Sequence, residues 1–232
     1  MSEQAFFISA LNFYLLNPNL KSPFTMVITW YGEGCFKIQD GDAVILTDIF
    51  DNKTGLTPPR LKADILIKTL NPFPTERAET EAKYIVSGAG EYNMKSVNIL
   101  GFPLVKESTE KFLKTIYDIE IDGMHLCLLG HLPEAPEPAA LSHLEEVDIL
   151  FIPAGGAPFI DQKSAVKLIK TLEPKIVIPS FFKIPGLKRN SADVKSFLSE
   201  FNHQKTEPEE KLSIKKKELA EIKSTKVVVL KT

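Results

Sequence analysis

Three runs rich in β-branched and aromatic residues, 27–31, 35–39 and 43–48, are divided by short steps containing Glu33-Gly34 and Asp40-Gly41. At that spacing the runs pair as hairpins and give three antiparallel strands. More strands are read at 64–68, 83–87, 97–102, 115–121 and 124–129, the last two joined by Asp122-Gly123. The second half changes period. A helix is read at 139–146 and a buried strand at 148–152. A second helix, capped by Asp161, runs to Leu172 with Ala165, Leu168, Ile169 and Leu172 on one face. A strand at 175–179 follows. A helix capped by Ser191 then carries Val194, Phe197, Leu198 and Phe201, and strands at 212–217 and 226–231 close the series. A β-rich beginning followed by strand–helix alternation predicts a layered α/β domain, two sheets face to face with helices outside.

A chain of 232 residues, 44% hydrophobic, is long enough to bury a core without disulfide or metal staples. The formal net charge of -2 gives no basic excess, so no nucleic-acid partner is expected. Cys35 and Cys127 each lie in an apolar run, which suggests free core thiols and a reducing, cytoplasmic setting. No apolar run reaches membrane-spanning length. The apolar stretch 5–16 lacks the positive region of a signal peptide, since the first basic residue is Lys21. Residues 1–25 are read as an N-terminal extension and 26–232 as the domain. Met26 opens the first clear strand, and a chain starting there is expected to fold. The charged run 203–217 is read as a solvated loop and strand edge.

Several ordered sequences carry a resemblance. Val27-Ile28-Thr29-Trp30-Tyr31-Gly32 leads into Gly34-Cys35-Phe36-Lys37-Ile38, then Leu46-Thr47-Asp48 and Gly55-Leu56-Thr57-Pro58-Pro59. Gly88-Ala89-Gly90-Glu91-Tyr92, Thr115-Ile116-Tyr117, Val147-Asp148-Ile149-Leu150 and Ile152-Pro153 with Gly155-Gly156 follow. Pro174-Lys175-Ile176-Val177-Ile178-Pro179 and Lys183-Ile184-Pro185-Gly186-Leu187 complete the set. From Met26 onward the chain resembles the zinc-dependent hydrolase-like branch of the metallo-β-lactamase superfamily, which includes ascorbate-phosphate lactonase-like proteins. The resemblance implies a four-layer αββα sandwich of two mixed sheets with helices outside.

It also implies where metal ligands would stand. The family pattern His-x-His-x-Asp-His falls on Leu70, Pro72, Pro74 and Thr75, none of which supplies imidazole, thiolate or carboxylate. The loop before 115–117, where the family has another histidine, reads Val105-Lys106-Glu107-Ser108. The bridging aspartate position falls on His131 and the last histidine position on Phe181. A histidine often found in the first hairpin is replaced by Glu33. Only His131 among these vestigial positions retains a metal-binding side chain.

Asp48, Glu91 and His131 are the remaining candidates for acid–base chemistry, with Glu33 beside them if the resemblance places all four at one pocket. Capping of loop amides is the plainer role for Asp48 and Glu91. Glu33, Phe73 and Phe182 are expected on the pocket rim. His125 is read as a sheet-face side chain and His143 and His203 as surface groups. Gly155-Gly156 lacks the full phosphate-loop pattern and reads as a tight turn.

The expectation is a metal-free, catalytically inactive member of the fold that binds an unknown small molecule or protein. No cofactor is expected. The alternative is a hydrolase of a lactone, ester or phosphoester whose rebuilt site holds zinc or manganese. Oligomeric state is not specified by these features.

Overall fold

The computed structural model describes residues 25–73, 81–144, 146–201 and 206–232. Residues 1–24 of the extension 1–25, Pro74, Thr75 and His203 lie outside the described residues.

Strands β1 (Met26–Trp30), β2 (Phe36–Asp40) and β3 (Ala43–Thr47) form the expected antiparallel meander. Alternation of buried and half-buried residues along β1 marks a strand with one covered face. Parallel strands β4 (Ile65–Lys68) and β6 (Tyr84–Ser87) extend this sheet on one side, and β13 (Leu212–Ile214) closes the other. The second sheet runs β14 (Lys226–Val227), β12 (Ile176–Ser180), β11 (Ile149–Pro153), β10 (Met124–Leu128), β9 (Phe112–Ile121), β8 (Val97–Pro103) and β7 (Gly90–Met94). β11 and β12 are buried at every position, as expected for parallel strands covered on both faces. A short strand β5 (Leu70–Pro72) pairs with the start of β9.

The main core lies between the sheets, with Ile28, Trp30, Phe36, Ile45, Ile119 and Phe151 among its members. Helix α2 (Gln162–Leu172) covers part of the second sheet with Ala165, Val166, Leu168 and Ile169 buried. Its N-cap Asp161 accepts from Ser164 N, as the sequence predicts. A smaller cluster of Leu46, Ala63 and Leu66 sits apart from the main core. The architecture is the αββα sandwich of two mixed sheets. No helix of the described residues is long and apolar enough to cross a membrane.

The strand expected at 226–231 is cut to Lys226–Val227, and four further segments differ from expectation. The predicted helix 139–146 is a single turn, α1 (Pro138–Leu141), because Pro138 can start a helix but Ser142 and His143 give it no apolar stripe to bury. Asp193, not Ser191, caps α3 (Val194–Glu200), its carboxylate accepting from Lys195 N at 2.8 Å. The strand expected at 212–217 stops at Ile214, and α4 (Lys216–Glu221) follows, its Glu218 carboxylate accepting from Lys215 N at 2.9 Å. The stretch 69–75, expected as loop, contains β5, held by backbone pairing that its composition does not signal.

At the far end of the sheets, Asp40 closes β2 with one carboxylate oxygen buried and without a hydrogen-bond partner among the described residues. Burial first, and Asp122 second, push its pKa up to about 6. The folded chain therefore holds this proton more tightly than the unfolded chain does. Ionisation costs stability, absent below about pH 4 and complete above about pH 6. Asp40→Asn should gain about 1 kcal/mol at pH 7.5, a figure reduced for partial exposure, and nothing at pH 4. Urea unfolding at the two pH values checks this, and an equal gain at both would exclude the titration as its source.

Candidate functional site

β3 ends at Thr47, whose hydroxyl donates to Gly34 O at 2.6 Å and accepts from Phe36 N at 2.9 Å, tying the first hairpin to the strand end. The next residue, Asp48, turns with φ 35° and aims its carboxylate at Thr69 beyond the end of β4. Thr69 N donates to Asp48 Oδ1 at 2.7 Å and Thr69 Oγ1 to Asp48 Oδ2 at 2.6 Å. His131, just past β10, reaches the same hydroxyl through Nδ1 at 2.7 Å and through its backbone N at 3.2 Å. Gly130 makes this approach possible, because a Cβ there would stand 2.1 Å from Thr69 Oγ1.

Thr69 has one hydroxyl proton, and the carboxylate takes it. The hydrogen-bond network therefore assigns the imidazole proton to Nδ1, donating to Thr69, and leaves the lone pair on Nε2. Burial pushes the Asp48 carboxyl up, opposed by the His131 charge and the Thr69 hydrogen bonds. Burial pushes His131 down, opposed by Asp48. The chain Asp48–Thr69–His131 is thus a closed, nearly buried polar unit.

Above it sits an aromatic plug. Phe181, 1% exposed, adopts φ 55°, a conformation that bulky side chains rarely hold. Its ring lies 5.0 Å from the His131 ring at 65° and 4.3 Å from Phe159. Gly34 clears the way, since a Cβ there would meet Phe181 Cζ at 2.7 Å and Asp48 Oδ2 at 3.0 Å. Arg189 locks the plug. Its Nε and Nη2 donate to the two Glu33 carboxylate oxygens at 3.2 and 3.1 Å, and Nη2 also donates to Phe181 O at 2.6 Å. The guanidinium carbon stands 4.9 Å from the centre of the Phe159 ring.

This frame has relatives. The family model of the beta-lactamase superfamily domain matches residues 27–180. The chain belongs to that superfamily. A Thermotoga maritima protein grouped with the Zn-dependent hydrolases of the metallo-β-lactamase superfamily is 27% identical, with a TM-score of 0.73 over 88% of this chain and 98% of that one. Igni18, a metallo hydrolase from Ignicoccus hospitalis, is 17% identical, with a TM-score of 0.59 over 82% of this chain and 99% of its own. The metallo-β-lactamase fold protein YhfI from Bacillus subtilis is 12% identical, with a TM-score of 0.56 over 90% and 97% of the two chains. Among curated proteins none matches significantly.

The superfamily's metal can be tested against the donors present. Leu70 and Pro72 stand in β5 with no ligating atom. The Asn71 side chain is taken up by Ser87 and by Lys68 O. Both Asp48 oxygens accept from Thr69, and the Glu33 carboxylate is held by Arg189. That leaves His131 Nε2 as the uncommitted donor among these groups. No group of three or more His, Cys, Asp and Glu side chains placed to hold a metal occurs among the described residues. Among the described residues, the groups at these positions do not fit a superfamily zinc centre.

Of the four groups weighed for convergence, Asp48, His131 and Glu33 surround the plug. Glu91 instead lies exposed on the edge strand β7. Phe182, expected on the rim, turns into the core and packs on Trp30 at 4.6 Å between ring centres. Phe73 is 50% exposed. His125 binds Asp118 at 3.1 Å on the face of the second sheet, and His143 stacks on Phe102. Cys35 and Cys127 are buried free thiols whose pKa values burial pushes up, which makes them poor nucleophiles. Arg189 and Phe159 were missed. Arg189 lies 156 residues from Glu33 in sequence, and neither residue sits in a motif.

Proposed function

We propose that this chain is a non-catalytic member of the superfamily that works by binding, with its ancestral metal pocket converted into a packed polar and aromatic unit. The carrying observation is that Asp48 and the inward nitrogen of His131 are hydrogen-bonded to Thr69, while Glu33 is bound to Arg189. Without a Lewis acid or a metal-bound hydroxide, the hydrolysis typical of such pockets has no nucleophile at neutral pH. The scaffold persists while the site has changed. The buried free thiols Cys35 and Cys127 support a reducing, cytoplasmic setting.

The alternative is motivated by the Thermotoga maritima relative grouped with Zn-dependent hydrolases. It would need zinc or manganese on a site rebuilt around His131. Elemental analysis of tag-free protein, offered both metals and then cleared of excess, separates the two. The expected result is substoichiometric metal, unchanged by His131→Ala, and no turnover of lactone, ester or phosphoester substrates. One or two tightly held ions per chain, lost on His131→Ala, would overturn the non-catalytic reading.

A further inference from the structure

Three non-glycine residues with left-handed backbones, Glu33 (φ 49°), Asp48 (φ 35°) and Phe181 (φ 55°), meet at one place. Among the described residues five others share such a backbone, and all but Glu146 have ordinary reasons. Lys95, Ser96 and Asp122 lie in turns between strands, and Glu173 caps a helix. Glu33 lies in the turn between β1 and β2, and Asp48 and Phe181 stand just past the ends of β3 and β12, so strain from three elements gathers around one buried ring, a feature of ligand clamps and switch segments.

The ring of Phe181 fills a slot cut to its shape. Gly34 lacks the Cβ that would enter the ring, Phe159 and His131 border it, and the Asp48 carboxylate lies beside it. One face of His131 is committed to Thr69, but Nε2 keeps a lone pair for a hydrogen-bond donor. The segment starts with Phe181 N donating to Glu33 O at 3.3 Å and with Phe182 packed on Trp30, and beyond these its backbone ties to the rest of the fold are few. Lys183 N donates to Ala192 O, Ala192 N to Gly155 O and Lys188 N to Thr54 O. Arg189 adds the clasp, joining Glu33 to Phe181 O. The clasp is within reach of solvent, with 22% of the Arg189 side chain and 12% of that of Glu33 exposed.

We propose that residues 181–192 form a strap latched by Arg189 on Glu33, and that its release withdraws the Phe181 ring and opens a slot for a small planar aromatic ligand carrying a hydroxyl or N–H donor. The ring of Phe181 is then a built-in occupant that a ligand replaces. The donor on the ligand meets His131 Nε2, and the ring takes the apolar walls. This deepens the binding role proposed above and rests on it, since a metal-filled pocket would leave no such slot.

The test compares the full chain with Arg189→Met and Glu33→Gln. Hydrogen exchange is followed by mass spectrometry, and binding of 4-fluorophenol by fluorine NMR. Backbone amides in 181–192 are expected to exchange at least tenfold faster in the variants, while amides of α2 keep wild-type rates. The variants should bind 4-fluorophenol at least tenfold more tightly than the wild type. Wild-type exchange of the strap in both variants would overturn the latch. A loosened strap with no gain in affinity would overturn the ring slot. If Arg189→Met does not fold, Glu33→Gln carries the same prediction with a smaller change of volume. Metal content of the same samples keeps the two claims apart. Tightly bound metal in the wild type defeats the non-catalytic reading, whereas strap exchange judges the latch.

Discussion

Thr69→Val is expected to destabilise the fold by about 3 to 5 kcal/mol, because it keeps the shape of the side chain and removes its hydroxyl. The Asp48 carboxylate would lose its 2.6 Å hydrogen bond, and His131 Nδ1 and its backbone N would lose their common partner. Thr69 and Asp48 are buried, and 22% of the His131 side chain is exposed. Against a total stability of about 5 to 15 kcal/mol, this is a large share. For a chain of this size the loss corresponds to a fall in Tm of roughly 10 °C. Thr69→Ser restores the hydroxyl and should recover all but about 1 kcal/mol. Thermal and urea unfolding of the two variants decide the matter. A valine variant within about 1 kcal/mol of wild type would mean that the polar unit contributes nothing net to folding.

Truncating Phe181 is expected to give an unusual order of stabilities. Phe181→Ala should cost about 3 to 5 kcal/mol through lost burial and a residual cavity. At an ordinary position glycine is worse than alanine by roughly 0.5–1 kcal/mol. At φ 55° the order reverses, since alanine keeps the left-handed penalty of about 1 to 2 kcal/mol and glycine sheds it. Phe181→Gly should therefore be at least as stable as Phe181→Ala. Paired denaturant titrations measure the difference directly. A glycine variant less stable than the alanine variant would show that the backbone at 181 relaxes once the ring is gone.

Much of the fold is legible in the sequence where local chemistry and tertiary packing agree. The meander of β1 to β3 is one case, because the apolar alternation of β1 and β2 faces the main core. The Asp161 cap of α2 is another, because capping is decided within four residues. β5 is not legible. Leu70-Asn71-Pro72 has no strand pattern and forms one because Leu113 and its neighbours in β9 lie alongside. The candidate site divides the same way. Asp48, His131, Glu33 and Phe181 stand at positions that a resemblance marks. Their actual bonding does not follow from that marking. Thr69 joins Asp48 across 21 residues and His131 across 62, and Arg189 follows Lys188 in a loop with nothing to single it out until the fold brings Glu33 to it.

The strand order has a consequence for how this chain is made. β1 is laid between β2 and β13, so Met26 waits for Ile214, and the second sheet gains β14 only from Lys226 onward. A nascent chain emerging from the ribosome would have nearly all of its hydrophobic segments outside the exit tunnel while each sheet still had one raw flank. Those flanks would be open together, and they would close within one short stretch of translation, residues 212–227. For this protein the vulnerable interval in the cell lasts until residues 212–227 have emerged, and a chaperone covering two unfinished sheet margins would matter most before then.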